Sequence, residues 1–236
     1  MIRHSMRSAR AWAALAALVL SAPLQAQGTK ATIAVLPFEN GGSYGQDKEN
    51  FDALEVGLPA VLASTLAARP HARVVDRGGV RDALHRQQRD AARRIDASSA
   101  TQVARATGAR YVVTGSFADF YGKFRINARI VDAESGEILK VVSNDDPKLQ
   151  DRAQLAAIVQ LVSERVVAAV GLPPLPAETA AQHRAVPTEA ITDFSRGLLY
   201  EGRGDASKAA DAYRRALTAY PAYPEAREGL ARTKGT

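Results

Sequence analysis

Residues 111–143 read YVVTGSFADFYGKFRINARIVDAESGEILKVVS, and the architecture turns on this stretch. Tyr111 to Tyr121, Phe124 to Asp132 and Ile138 to Ser143 are three runs rich in β-branched and aromatic residues, the composition of strands. The connection Ala133-Glu134-Ser135-Gly136-Glu137 is short and places glycine where a hairpin loop needs positive φ. The three runs therefore predict an antiparallel meander. Within the second, Ile126, Ala128 and Ile130 alternate with Arg125, Asn127 and Arg129. Side chains two apart share a face of a strand, so the apolar set belongs to a core. The polar set is either a solvated outer face or a docking surface for a partner.

Working back toward the N-terminus, Lys30 to Phe38 is a short apolar run closed by Pro37-Phe38, which suits a strand buried on both faces. Asn40 to Asn50 is Gly-rich and polar and reads as a loop. Leu58, Val61, Leu62 and Leu66 fall at helical spacing, with Pro59 expected in the first turn, where its missing N–H costs nothing. Ala72 to Asp76 is a second short strand, and Val80 to Arg94 a polar helix with a thin stripe through Val80 and Leu84. Ser98 or Ser99 caps a further helix that runs through Val103 to Gly108. Beyond the meander, Leu155, Ile158, Val159, Val162, Val166 and Val170 line one side of a long helix over Lys148 to Val170, stopped at Gly171. This order predicts an α/β two-layer domain with a mixed sheet over residues 30–171. Pro173, Pro174, Pro176 and Pro187 then mark residues 172–187 as a Pro-rich linker without a core of its own.

Residues 188–236 switch to helical periodicity, Glu189 to Arg203 and Ala206 to Tyr220, with a Gly-Asp break between and Pro221 after. The segment resembles the tetratricopeptide repeat, whose helix pairs use small residues at the crossing and aromatics in the gaps. Gly197 and Tyr200 stand at the first helix's small and aromatic positions; Ala209, Tyr213, Ala216 and Pro221 stand at those of the second. One departure is Asp193, which occupies the usual place of a large aromatic, with Phe194 beside it. Residues 225–233 begin a partial second repeat. The signature residues are expected to pack the helix pair, giving a small all-α module. Phe194, Leu198 and Leu199 remain as spare apolar surface that requires docking, on the α/β domain or on another copy.

Three phrases carry a second resemblance: Ile33-Ala34-Val35-Leu36-Pro37-Phe38-Glu39-Asn40, Gly108-Ala109-Arg110-Tyr111-Val112-Val113-Thr114-Gly115-Ser116, and Arg129-Ile130-Val131-Asp132-Ala133-Glu134-Ser135-Gly136-Glu137. Together they are similar to the bacterial envelope domain shared by CsgG-like, FlgO-like and TolB N-terminal-like proteins. The resemblance implies a periplasmic, non-catalytic module that binds other envelope proteins or itself. A CsgG-type pore is not expected, because no pair of alternating ten-residue segments is spare for a barrel.

The first 26 residues agree with that setting. Arg3, Arg7 and Arg10 precede the apolar run Ala11 to Leu20 and the small-residue site Ser21 to Ala26, the order of a cleavable signal peptide. The apolar run is too short for a transmembrane helix, which needs about 20 residues. The formal charge is +6, and with the three signal arginines set aside 28 basic residues face 25 acidic ones. So small an excess is only a weak pointer to nucleic acid or anionic lipid, and no nucleic-acid partner is expected. The chain has no cysteine, hence no disulfide, thiolate metal site, cysteine nucleophile or lipid-bearing cysteine.

Searching for chemistry yields little. His4, His71, His85 and His183 lack metal-ligand spacing. Gly41-Gly42-Ser43-Tyr44-Gly45 follows a buried strand but lacks the Gly-Lys-Ser/Thr ending of a phosphate loop. Ser116 lies in a strand and not on a nucleophile elbow, and Asp145-Asp146 with Glu134 lack the spacing of a calcium loop. No catalytic, cofactor-binding or metal residue is assigned. The expectation is an exported, non-catalytic interaction or scaffold protein of the cell envelope, periplasmic and compatible with peripheral outer-membrane association. The alternative is an oligomeric outer-membrane-associated secretion or assembly component; an enzyme comes third.

Overall fold

The computed structural model describes residues 30–43, 47–87, 95–145 and 148–235. The segment read as a signal peptide, with His4, together with Tyr44, Gly45, Asp146 and the second half of the polar helix expected to reach Arg94, lies outside the described residues.

The sheet has the order β2-β1-β3-β4-β5, with β6 pairing β4. Strand β1 (Ala31–Asn40) runs parallel to β2 (Ala72–Val74) and β3 (Tyr111–Phe120). The expected meander is present: β3, β4 (Lys123–Asp132) and β5 (Ile138–Ser143) are successively antiparallel. In the second turn Gly136 takes φ 75°, and Asp132 accepts hydrogen bonds from the amides of Glu134 and Ser135. The sheet is therefore mixed and the domain α/β, as the order of elements implies.

Helix α1 (Lys48–Ala67) and α4 (Leu155–Ala169) cover one face, burying Phe51, Leu54, Leu58, Ile158 and Val162 against Ile33, Val35, Ile126 and Ile130. Across the parallel half, α2 (Arg77–Arg86) and α3 (Ala97–Thr107) add partial cover on the other face, packing Val80, Leu84 and Val103 on Ala34, Leu36 and Val112. Ile33 to Leu36 are all buried, which is why that run shows no alternation.

Several boundaries differ from expectation, each for a physical reason. Helix α1 begins ten residues before Leu58, so Pro59 lies in its interior. An interior proline removes one helical hydrogen bond and costs about 3 kcal/mol. Phe51, Leu54, Leu58 and Leu62 continue one apolar stripe through it, and Pro59 itself is buried. The α3 cap is Asp96, whose carboxylate accepts from the Ser99 amide at 2.8 Å, and neither Ser98 nor Ser99 caps it. The predicted α3 stop at Gly108 is observed in the left-handed region, φ 68°.

The long helix expected from Lys148 starts only at Leu155. Before it, β6 (Gln150–Asp151) pairs with Lys123 and Phe124, and a 3-10 turn spans Arg152–Gln154. Buried Asn144 stitches this corner, accepting from the Ile126 amide at 2.6 Å and donating to the Phe124 carbonyl at 2.8 Å. Residues 172–187, expected to lack a core, hold α5 (Ala177–Arg184). Leu175 and Ala180 there are buried, and Leu172 and Val186 pack on the main core.

The C-terminal helices are α6 (Thr188–Gly202), α7 (Ala206–Ala219) and α8 (Pro224–Arg232). They lie on the outward side of α1, which is thus packed between the sheet and the repeat.

Candidate interaction surfaces

Four features of the fold bear on function: the helical repeat, its seam with α1, the outer edge of the sheet, and a cleft beside the seam. The repeat is organised by Tyr213, fully buried on α7. A Cβ built on Gly197 or on Gly229 would fall inside the Tyr213 ring, so both helices flanking the ring approach it only because those residues are glycine. Ala209 and Ala216 are buried to the same degree, and Pro221 is exposed just past α7. Phe194 packs against Tyr213 and Tyr223, at ring-centroid distances of 6.1 and 5.2 Å. Asp193, where the repeat usually has an aromatic, instead accepts from Arg215 at 3.0 Å and Arg196 at 3.3 Å.

Glu201 closes this module. It accepts from the Tyr213 hydroxyl at 2.6 Å and from Arg232 at 2.9 Å, and ion-pairs Arg77 of α2 at 2.9 Å. Burial pushes its pKa up, but hydrogen bonds from Arg232 and Tyr213 and the Arg77 charge outweigh that and hold it at about 2. Burial and the same contact raise the Tyr213 phenol. A folded pKa below the ordinary 4.5 stabilises the fold above that pH, and the contribution fades as pH falls toward 2. Allowing for solvent on the arginine partners, Glu201→Gln should cost roughly 2 kcal/mol at neutral pH. Its unfolding midpoint should also vary less between pH 4.5 and 2 than that of the parent, as read by circular dichroism melts. A parallel pH profile in both proteins would refute the assignment.

The seam with α1 is tight. Gly57 faces Ser195 so closely that a Cβ on Gly57 would overlap the serine side chain. Tyr200 donates its hydroxyl to Glu49, Ser64 donates to Glu225, and the Thr188 hydroxyl donates to the Ala153 carbonyl at 2.9 Å. Of the spare apolar residues of α6, Phe194 and Leu198 are buried and Leu199 is half-buried. The docking partner is thus the α/β domain of the same chain.

At the sheet's outer edge, Ile126, Ala128 and Ile130 are buried while Arg125, Asn127 and Arg129 are half-exposed on the opposite face. Arg125 pairs with Asp145 at 3.1 Å and lies 5.7 Å from the Phe120 ring. Strand β5 forms the edge, and no described strand pairs with its free side. Ile138, Leu139 and Val141 on it are 49%, 47% and 56% exposed. Sequence reasoning missed this feature because β5 reads as an ordinary core strand; only its position as the last strand leaves it uncovered. The neighbouring β3–β4 turn carries Tyr121, fully exposed at φ 53°, a conformation that a tyrosine rarely adopts.

The fourth feature is a cleft of about 350 Å³ where α1, α2 and α6 meet beside Val35 and Pro37 of β1. His85 lines it, His71 is exposed in a turn, and His183 is half-buried on α5 with its pKa lowered by burial. Among the described residues, no three histidine or carboxylate side chains gather as a metal site would require. Gly41 and Gly42 lead into Ser43, whose amide is bound by the Asn40 side chain and whose hydroxyl accepts from the Asp119 amide. Ser116 lies on β3, paired with Asn127. No helix among the described residues is long and apolar enough to cross a membrane.

Residues 193–233 match the tetratricopeptide repeat family. Solved structures similar to this chain include the LpoB C-terminal domain from Salmonella enterica, 20% identical, with a TM-score of 0.38 over 51% of this chain and 86% of that one. TolB from Acinetobacter baumannii is 19% identical, with a TM-score of 0.40 over 60% of this chain and 29% of TolB. The PelC dodecamer from Paraburkholderia phytofirmans is 17% identical, with a TM-score of 0.38 over 61% and 90%. No curated protein matches the sequence.

Proposed function

We propose that the chain is an exported, non-catalytic scaffold of the bacterial cell envelope that holds envelope proteins, or further copies of itself, along the open edge of its sheet. The observation that carries this reading is β5, an edge strand with apolar side chains exposed and one row of backbone groups unpaired among the described residues. Such an edge is a template for strand addition, and Lys140 is the only charged side chain on it. Arg125, Asn127 and Arg129 extend the surface as a polar rim. The signal-like N-terminus supports export to the periplasm, the CsgG/FlgO/TolB-like phrases support an envelope setting, and the repeat match supports a role in protein contacts.

A photo-reactive residue in place of Leu139 tests it in living cells. The protein is expected in the periplasm, starting at or near Gln27, cross-linked to an envelope protein or a second copy. Adding Val141→Lys should lower the cross-linked yield about tenfold, since a charge on the strand opposes edge pairing. Full-length protein confined to the cytoplasm, or a yield indifferent to Val141→Lys, would reject the proposal.

A further inference from the structure

The cleft between α1, α2 and α6 has a composition that the scaffold role does not use. Its volume of about 350 Å³ falls within the range of small-ligand sites. The floor is hydrocarbon, with Val56, Pro59 and Ala60 from α1, Val80 and Leu84 from α2, and Leu199 from α6. Among the described residues its polar side chains are Arg77, Arg81, His85 and Arg203, and no carboxylate, amide or hydroxyl side chain lines it. Small residues leave the space open: Ala60 and Ala63 on α1 face Gly202 at the end of α6.

Charge complementarity selects the occupant. Arg77 is already held by Glu201 at 2.9 Å. Among the described residues Arg81 has only Asp82 at 3.4 Å, with both side chains largely in solvent, and Arg203 pairs with no carboxylate. An uncharged apolar ligand would desolvate these cations without a counter-ion. A peptide would bring backbone N–H groups that need acceptors. The lining arginines only donate, His85 offers at most one acceptor nitrogen, and the α6 carbonyls of Leu199, Tyr200 and Glu201 are taken by the amides of residues 203–205. What fits is a body with no hydrogen-bonding groups joined to an anionic end.

We infer that this cleft binds a single-chain anionic amphiphile, a free long-chain carboxylate whose tail lies on the floor and whose head meets Arg81 and Arg203. The inference is independent of the sheet edge. Dodecanoate, dodecyl maltoside and dodecyltrimethylammonium share one tail and differ in head charge, so they serve as probes.

Calorimetric titration of the mature chain below micelle concentrations should give saturable binding of one dodecanoate per chain. The maltoside should bind at least about tenfold more weakly and the ammonium compound not at all. Arg81→Gln with Arg203→Gln should weaken dodecanoate about tenfold and erase its preference over the maltoside, with the melting midpoint unchanged. Ala60→Phe, which fills the floor, should abolish binding. If that variant fails to fold, the arginine pair on the surface still decides the matter. Equal binding of all three probes, or dodecanoate binding indifferent to the arginine pair, would overturn the inference. Capture of an acidic amphipathic peptide without dodecanoate would replace it with a peptide groove. Sedimentation with phosphatidylglycerol vesicles without uptake of free dodecanoate would replace it with a lipid surface.

Discussion

Replacing Gly57 by valine should release the C-terminal helices from the rest of the chain. The site of the new side chain is occupied by Ser195, and both residues lie mid-helix in a well-packed seam, so neither backbone can yield locally. Overpacking of this kind costs about 3 kcal/mol. Released, α6 would expose Phe194 and Leu198, and a helix pair of this size buries too little surface to offset its own chain entropy. We expect Gly57→Val to lower the main melting transition by several degrees and to admit protease between residues 188 and 232. Residues 188–236 made alone should show weak helical circular dichroism and no cooperative melt. A monomeric fragment that melts cooperatively would show instead that the repeat is an independent module.

A second large effect is expected at Arg69, the largest fully buried side chain among the described residues. Its guanidinium donates to Glu164 at 2.6 Å, to the Thr65 carbonyl at 2.6 Å and to the Ser163 hydroxyl at 3.3 Å, while its Nε has no partner. Burial draws its pKa below the ordinary arginine value, although Glu164 opposes this. Removing the anion alone, Glu164→Ala, strands a buried charge and should cost about 3–5 kcal/mol. Arg69→Met should cost much less, because Glu164 is 32% exposed and also accepts from Gln160 at 2.7 Å. Denaturant melts of both variants and of the double variant test this asymmetry. Equal losses in the two single variants would show that packing, and not charge, governs the site.

Periodicity made most of the sheet legible. Alternation in Phe124 to Asp132 and the unbroken run from Ile33 to Leu36 report directly on one-sided and two-sided burial, and these are local properties of the chain. The caps and starts were less legible because they depend on partners far away. Pro59 reads as a first-turn residue until the apolar stripe from Phe51 is seen to continue through it. Residues 148–154 read as helix until their pairing with β4 is known. In the repeat, small and aromatic positions could be read one by one, since Tyr213 and its glycines meet within one module. The cleft and the exposed edge were invisible for the opposite reason: each arises from what is not placed beside an ordinary apolar residue.

The close approach of Gly57 to Ser195 also sets an order of events. Synthesis from the N-terminus delivers α1 early, yet its outward face meets α6 only after about 140 further residues have emerged. Closing so long a loop adds little to the equilibrium cost, because the penalty grows only with the logarithm of length. Kinetically it is late, since distant contacts slow folding and leave apolar surface open meanwhile. During that interval Val56, Ala60 and Val61 stand uncovered, and the newly made chain presents a sticky helix that the finished protein conceals.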